Sequence, residues 1–277
     1  MEITMGNRID LKNVESVGNS QHTSSTLQPD TLFHFMEKVE WLIDIIEQKR
    51  IPARYCNEDI KYLSIKGINY ISIPMRCFCD IKLHQLEDHI DYYGACGIAF
   101  SKEWGMKNYI QPIHYLNPDS RLTKESSMVL SDVINKTYKR ETVLQKELKS
   151  FIFHQLMYYK PDSGKSRNRR TKKEDIKCFT DECEWRYIPD LSTIDYPPFI
   201  INDGMGSEYI SKLNDSLREL NEVALRFNYH DVKYLIVENQ DDFIQLIDSI
   251  NQIEIPQNDK IKLVSKIIIW DEAKGDF

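Results

Sequence analysis

No segment of this chain approaches the roughly 18 consecutive apolar residues that a membrane span requires. Residues 1–28 are polar, rich in Asn, Ser and Thr, and lack the apolar run of a signal peptide. The expectation is a cytoplasmic protein with a flexible tail over 1–28. Positive charge is also short: 36 Lys and Arg stand against 43 Asp and Glu, for a formal net charge of -7. That balance excludes a protein that coats duplex nucleic acid over its whole surface and confines any such contact to a local patch. Six cysteines among 277 residues are few. Cys77-x-Cys79 and the looser Cys178/Cys183 pair lack the spacing of zinc knuckles, so no metal is expected and reduced core thiols are. Gly94 and Gly97 lack the third glycine of a dinucleotide-binding fingerprint. Internal repeats and low-complexity segments are absent as well.

What is present is an alternation of short strands and amphipathic helices. Thr31 to Phe35 reads as a strand. Val39, Leu42, Ile43 and Ile46 recur at helical spacing up to Pro52. A strand follows over Tyr70 to Cys79, a helical stretch over Asp80 to Tyr93, and a buried strand over Ala95 to Phe100. Ser101 is placed to cap a brief helix. Pro112 puts the Ile110–Leu116 strand at an edge. Two helices fill about 123–159, and 160–177 reads as a polar loop before a strand over Glu182 to Pro189. Helix, strand, helix, strand then complete the chain, the last strand spanning Leu263 to Trp270. Strands clustered in this way predict an α+β fold, with one domain over 29–277.

Four places carry candidate chemistry. His34 lies between apolar neighbours, where an imidazole is either a satisfied core group or a ligand. Arg76 stands in an apolar strand and must snorkel or meet an anion; Asp80 nearby is a partner or a helix cap. Tyr93 precedes Gly94, at a turn that permits a sharp bend or close approach to a ligand. Lys165, Arg167, Arg169, Arg170, Lys172 and Lys173 place six cations in nine residues just before the strand bearing Glu182 and Glu184. They form either a solvated loop or a phosphate-binding patch. Strand alternation groups Glu182, Glu184 and Arg186 on one face, opposite Cys183, Trp185 and Tyr187.

The runs Cys77-Phe78-Cys79-Asp80-Ile81, Tyr93-Gly94-x-x-Gly97-Ile98-x-Phe100-x-Lys102-Glu103-Trp104, Glu184-Trp185-Arg186-Tyr187-Ile188-Pro189 and Ser265-Lys266-Ile267-Ile268, near Asp276-Phe277, resemble the AbiGi family of bacterial abortive-infection proteins. That family is named as the antitoxin of a phage-resistance system. The resemblance implies a role in phage defence and a cognate toxin–antitoxin partner.

The order of elements is also similar to the ADP-ribosyltransferase superfamily, including the DarT toxins and RNA 2′-phosphotransferases. This second resemblance implies a mixed, twisted sheet flanked by helices, with NAD as substrate. It assigns NAD contacts to His34, Arg76 and Tyr93 and the catalytic carboxylate to Glu184, or to Glu182 in its place. Such a carboxylate would stabilise the oxocarbenium character that grows as the nicotinamide–ribose bond breaks. The six cations would then recognise an RNA or DNA acceptor. Two functions therefore stand side by side: an NAD-dependent transferase toxin acting on nucleic acid, and a non-catalytic antitoxin.

Overall fold

The computed structural model describes residues 28–135, 142–201 and 207–276. All but Gln28 of the expected tail lies outside the described residues, as does the terminal Phe277. The chain opens with β1 (Thr31–Met36), α1 (Val39–Gln48), β2 (Arg50–Ile51), β3 (Arg54–Asp59) and the long β4 (Tyr70–Cys79). Then come α2 (Glu87–Tyr93), β5 (Cys96–Ser101), α3 (Lys102–Lys107), β6 (Gln111–Pro112) and β7 (His114–Leu116). Two helices follow, α4 (Arg121–Asn135) and α5 (Val143–Met157), then β8 (Tyr159–Pro161), β9 (Ser163–Arg167), β10 (Glu174–Cys178) and β11 (Glu184–Tyr187). The remainder contains β12 (Ile200–Ile201), α6 (Ser207–Glu219), β13 (Leu225–Arg226), β14 (Val232–Val237) and α7 (Gln240–Gln252). It closes with α8 (Gln257–Val264), β15 (Ile267–Ile269) and α9 (Trp270–Ala273).

Local sequence explains several boundaries. Val39, Leu42, Ile45 and Ile46 bury one stripe of α1, and Lys49 ends the helix in the left-handed region at φ 50°. Ser101 caps α3 by accepting the Trp104 N–H at 3.2 Å. Thr142 and Gln145 form a reciprocal capping box on α5. Gly94 ends α2 at φ 116°, where a Cβ would lie 2.4 Å from the Met36 carbonyl oxygen. Only glycine fits there.

The main sheet runs in the order β15-β14-β5-β1-β4-β11-β6, with β3 and β12 pairing the first half of β4. Only β14–β15 is parallel within it; the other pairs are antiparallel, so the sheet is mixed and the architecture α+β. Both faces are covered. On one face, Phe78, Ile98 and Phe100 pack with Leu42 and Ile46 of α1, Trp104 of α3 and Leu246 and Ile250 of α7. On the other, Ile71, Ile73 and Met75 pack with Leu130 of α4 and Leu156 of α5, while Cys79 and Phe33 pack with Ile90 of α2 and Trp270 of α9. Each such buried aliphatic or aromatic side chain contributes about 1.5–3 kcal/mol.

Three expectations are corrected. Residues 160–177 are not a loop: β9 and β10 pair as an antiparallel hairpin, Ser163 opposite Cys178 and Arg167 opposite Glu174. Ile176 is the single large apolar residue of its two strands, so no apolar alternation marks it. Glu182 lies in a 3-10 turn (Phe179–Glu182) ahead of β11 rather than in the strand. The expected strand over Leu263 to Trp270 shrinks to β15, because α8 occupies the residues before it and α9 begins at Trp270.

Candidate functional site

Register fixes which side chains share a face. Cys79 lies opposite Phe33 of β1 and opposite Glu184 of β11, with Cys77 opposite Arg186. Directly paired residues point to the same side of a sheet. Glu184 and Arg186 therefore share a face with Phe33, Cys77 and Cys79. One residue on along each strand, His34, Arg76, Phe78, Trp185 and Tyr187 point the other way.

On the Glu184 face lies a buried chain of alternating charges. Arg186, fully buried, donates from Nη2 to Glu58 Oε2 at 2.9 Å and from Nε to Glu184 Oε1 at 2.6 Å. Its Nη1 donates to the Met157 carbonyl at 2.7 Å. Lys160 of β8 bridges the two glutamates, with Nζ 2.7 Å from Glu184 Oε2 and 2.6 Å from Glu182 Oε2. Lys177 of β10 closes the chain 2.8 Å from Glu182 Oε1. The order is Glu58–Arg186–Glu184–Lys160–Glu182–Lys177, three of each sign. Tyr93 donates its hydroxyl to Glu182, and Lys177 stands over the rings of Tyr92 and Tyr93, 3.8 and 4.2 Å from their centroids.

The chain is built by two hairpin feet and one unusual residue. Lys160 precedes the β9–β10 hairpin and Lys177 lies near the end of its second strand. Cys183 turns the backbone into the left-handed region at φ 42°, so Glu182 and Glu184 converge on one ammonium although they belong to different elements. Burial alone would raise the Glu184 pKa, but Arg186 and Lys160 outweigh it and hold the carboxyl well below the usual carboxylate range. Glu182 is opposed by burial in the same way and is held down by Lys160 and Lys177. Burial pulls Lys160 down, yet Glu184 and Glu182 keep it well above the ordinary lysine value. Lys177 is lowered by burial, with Glu182 opposing. Burial pushes the Tyr93 hydroxyl up, with Glu182 adding to it.

The face of β11 that carries Glu184 and Arg186 turns into the protein. Glu184 is 5% exposed. Both its carboxylate oxygens are engaged by cations, and its backbone N–H donates to the Tyr115 hydroxyl at 2.8 Å. Only 6% of the side chain faces solvent, which leaves the carboxylate little surface from which to meet a ribose or a nucleophile.

The four residues assigned to an NAD site do not form one cleft. Tyr93 joins Glu182 and Glu184, whereas His34 and Arg76 belong to the opposite face. His34 Nδ1 lies 2.9 Å from the Cys77 carbonyl, so Nδ1 carries the proton and donates. Its ring sits 5.5 Å from that of Phe78. Burial, reinforced by Arg76, lowers the His34 pKa to about 3, leaving a neutral core imidazole. Arg76 donates Nε to the Pro52 carbonyl and burial lowers its pKa to about 10. Asp80 finds its partner in Lys102, at 2.6 Å.

The six hairpin cations divide. Arg170 pairs with Glu238 at 2.8 Å and lies 3.9 Å from Asp91. Lys172 reaches Glu37 at 3.3 Å, and Arg169 stacks over the Tyr93 ring, 5.1 Å from its centroid. These three fasten the hairpin tip to the body. Lys165, Arg167 and Lys173 are exposed, and Arg167 donates to the Lys172 carbonyl. Among the described residues no three His, Cys, Asp or Glu gather as metal ligands. Sequence reasoning missed Lys160, Lys177 and Glu58; the available signal was that a lysine brackets the cationic run on each side.

Residues 49–238 match the family described as "Putative abortive phage resistance protein AbiGi, antitoxin". The abortive phage resistance protein AbiGi of Lactococcus lactis subsp. cremoris is 35% identical over 247 residues, covering 81% of this chain and 98% of that protein. No solved structure matches the chain. With the family matched over well over half its length and a relative of this identity nearly end to end, the chain belongs to the AbiGi family of abortive phage resistance proteins.

Proposed function

We propose that this protein is the antitoxin of an abortive-infection pair and works by binding a toxin, not by turning over a nucleotide. The observation that carries this reading is the state of Glu184. The carboxylate that a transferase would need is buried and held between Arg186 and Lys160, and His34 lies on the other face of the sheet. The family description names an antitoxin, and a net charge of -7 suits a protein that masks a basic partner.

The competing reading, an NAD-dependent ADP-ribosyltransferase acting on RNA or DNA, requires the ion chain to open so that Glu184 can reach a ribose. One experiment separates the two. The chain is co-expressed with the product of the adjoining gene, and separately incubated with labelled NAD and a mixture of RNA, DNA and protein. The antitoxin reading expects restored growth and no label transferred. Label appearing in nucleic acid, and lost in Glu184→Gln that remains folded, would overturn it.

A further inference from the structure

A cleft of about 500 Å³ opens between the end of α3 and the connection from α6 to β13. Its walls include Asn108, Tyr109, Tyr187, Asn221, Glu222 and Arg226. Tyr187 points to the face of β11 opposite Glu184 and Arg186, so this cleft and the ion chain are separate places. The volume falls within the roughly 300–1,000 Å³ of small-molecule pockets.

Tyr109 is presented to the cleft by an unfavourable backbone. Its N–H donates to the Met106 carbonyl at 3.1 Å, and the Ile110 N–H donates to the Gly105 carbonyl at 2.9 Å. These are the two bonds that close a helix through a left-handed residue, a position usually given to glycine. Here a tyrosine takes it, at φ 59°, in a region that bulky side chains avoid. The ring is 84% exposed and has no ring or hydrogen-bond partner among the described residues. Other walls are fixed in place. The Tyr187 hydroxyl donates to the Val223 carbonyl at 3.2 Å. Asn108 Nδ2 donates to the Trp104 carbonyl at 2.8 Å, which leaves Oδ1 to accept from a ligand.

The charge beside the cleft is also unsatisfied. β13 and β2 form a two-residue ladder that sets Arg226 directly opposite Arg50. Leu225 and Ile51, the other pair of that ladder, are buried, so both guanidinium groups stand on its outer side. Like charges directly opposite each other on a ladder repel. Among the described residues no carboxylate pairs with either arginine. Arg50 Nη1 donates to the Arg218 carbonyl at 2.9 Å, and Asp44 is taken by Arg218 at 2.7 Å. Glu222 is the one carboxylate of the cleft walls. An anion between Arg50 and Arg226 converts the repulsion into charge-assisted hydrogen bonds, and phosphate matches the guanidinium fork.

A bare phosphate leaves the tyrosines and amides unused. Aromatic rings, amides and a carboxylate beside an arginine pair are the parts that hold a base, a ribose and a phosphate. We infer that this cleft binds a nucleoside phosphate. The base lies against Tyr109 and Tyr187, with Asn108 and Asn221 at its polar edge. The ribose hydroxyls donate to Glu222, and the phosphate sits between Arg50 and Arg226. A free nucleotide and the 5′-phosphorylated end of a single strand share this chemistry. The inference goes beyond the antitoxin reading and requires no turnover.

The test is calorimetric titration of the full chain with AMP, adenosine, inorganic phosphate, and a short single-stranded oligoribonucleotide with and without a 5′-phosphate. AMP should bind about tenfold more tightly than adenosine or phosphate. Arg226→Gln should weaken AMP about tenfold and leave adenosine unchanged. Tyr109→Gly should weaken AMP and adenosine alike while the urea midpoint holds, because glycine suits that backbone; circular dichroism checks that both variants are folded. A phosphorylated strand that outbinds both AMP and its unphosphorylated form supports the site with a strand end as ligand, and AMP outbinding both strands supports it with a free nucleotide. Binding of neither AMP nor the phosphorylated strand overturns the inference, as does phosphate binding as tightly as AMP. So does a lowered midpoint in Tyr109→Gly with AMP binding kept, which makes the tyrosine structural. AMP binding that Glu184→Gln abolishes and both cleft variants spare moves the ligand to the ion chain and overturns it as well.

Discussion

The cations between residues 160 and 177 serve two opposite purposes. At the feet of the hairpin, Lys160 and Lys177 lie against Glu182 and Glu184, drawn out of water into a neutral chain of six charges. At the tip, Lys165, Arg167 and Lys173 remain exposed, while Arg169, Arg170 and Lys172 clip the tip to a ring and to surface carboxylates. Density of charge along the sequence points to the tip. Energetic consequence lies at the feet, because a buried charge that loses its partner keeps its full desolvation penalty, whereas an exposed one returns to water.

That contrast is broken most directly at its strongest point. Lys160→Met removes the ammonium shared by Glu182 and Glu184 and leaves two carboxylates facing each other out of water. Urea unfolding should show a loss of about 3–5 kcal/mol; a loss no larger than that of a surface substitution would put the feet on the same footing as the tip. Glu184→Gln keeps the shape, removes one negative charge and leaves Arg186 with Glu58 and Lys160 with Glu182. A loss of about 2–3 kcal/mol is expected by the same measurement. A transferase carboxylate near solvent would instead leave the unfolding curve in place and abolish activity.

The pH dependence sharpens the picture of the two faces. His34 is neutral in the fold, with a pKa near 3, against 6.5 in the unfolded chain. Its contribution is fully present above pH 6.5 and declines as pH falls towards 3, because only the unfolded state then binds the proton. Glu184, held below the carboxylate value of 4.5, keeps its contribution above pH 4.5 and loses it only as pH falls further, through its folded pKa. Stability should therefore begin to fall below pH 6.5, and steepen below pH 4.5. Replacing His34 by Gln should flatten the upper segment by up to about 1.4 kcal/mol per pH unit, measured by urea midpoints across a buffer series; an unchanged slope would place the imidazole in water. The smallest effect belongs to the tip. Lys165→Ala/Arg167→Ala/Lys173→Ala should leave the unfolding midpoint unchanged. If the tip holds a single-stranded oligonucleotide, the variant should lose about one unit of salt slope per phosphate contact. A shifted midpoint with no oligonucleotide effect would make the tip structural.

Much of the frame was legible because it is written locally. Helical spacing marks α1, the Ser101 cap marks α3, and alternation marks β4. Sequence alternation also placed Glu184 and Arg186 on one face. It could not say that this face turns inward, since what makes burial tolerable comes from elsewhere: Glu58 on β3, Lys160 on β8 and Lys177 on β10. The hairpin was illegible for a related reason. Ile176 alone among the residues of its strands is large and apolar, so their pairing is held by backbone bonds and by the two lysine feet, neither of which leaves a periodic trace. His34 and Glu184 were matched by the order of elements along the chain, which says nothing of the face each occupies.

The ion chain also dictates an order of events during synthesis. Glu58 waits for Arg186, 128 residues later in the chain, and Lys160 has no partner in Glu182 or Glu184 until those residues leave the ribosome. Before then β3, β4, α4 and α5 can form their apolar contacts, but the charges along this seam stay hydrated and the hairpin feet stay open. Closing so non-local a network is slow relative to local contacts. A nascent or truncated chain that stops short of residue 186 therefore holds a wet seam beside a largely apolar core, which is the kind of intermediate that chaperones and proteases recognise. The steady-state level of this protein in the cell should thus be set by how promptly the stretch from Lys160 to Arg186 is made, as much as by the stability of the finished fold.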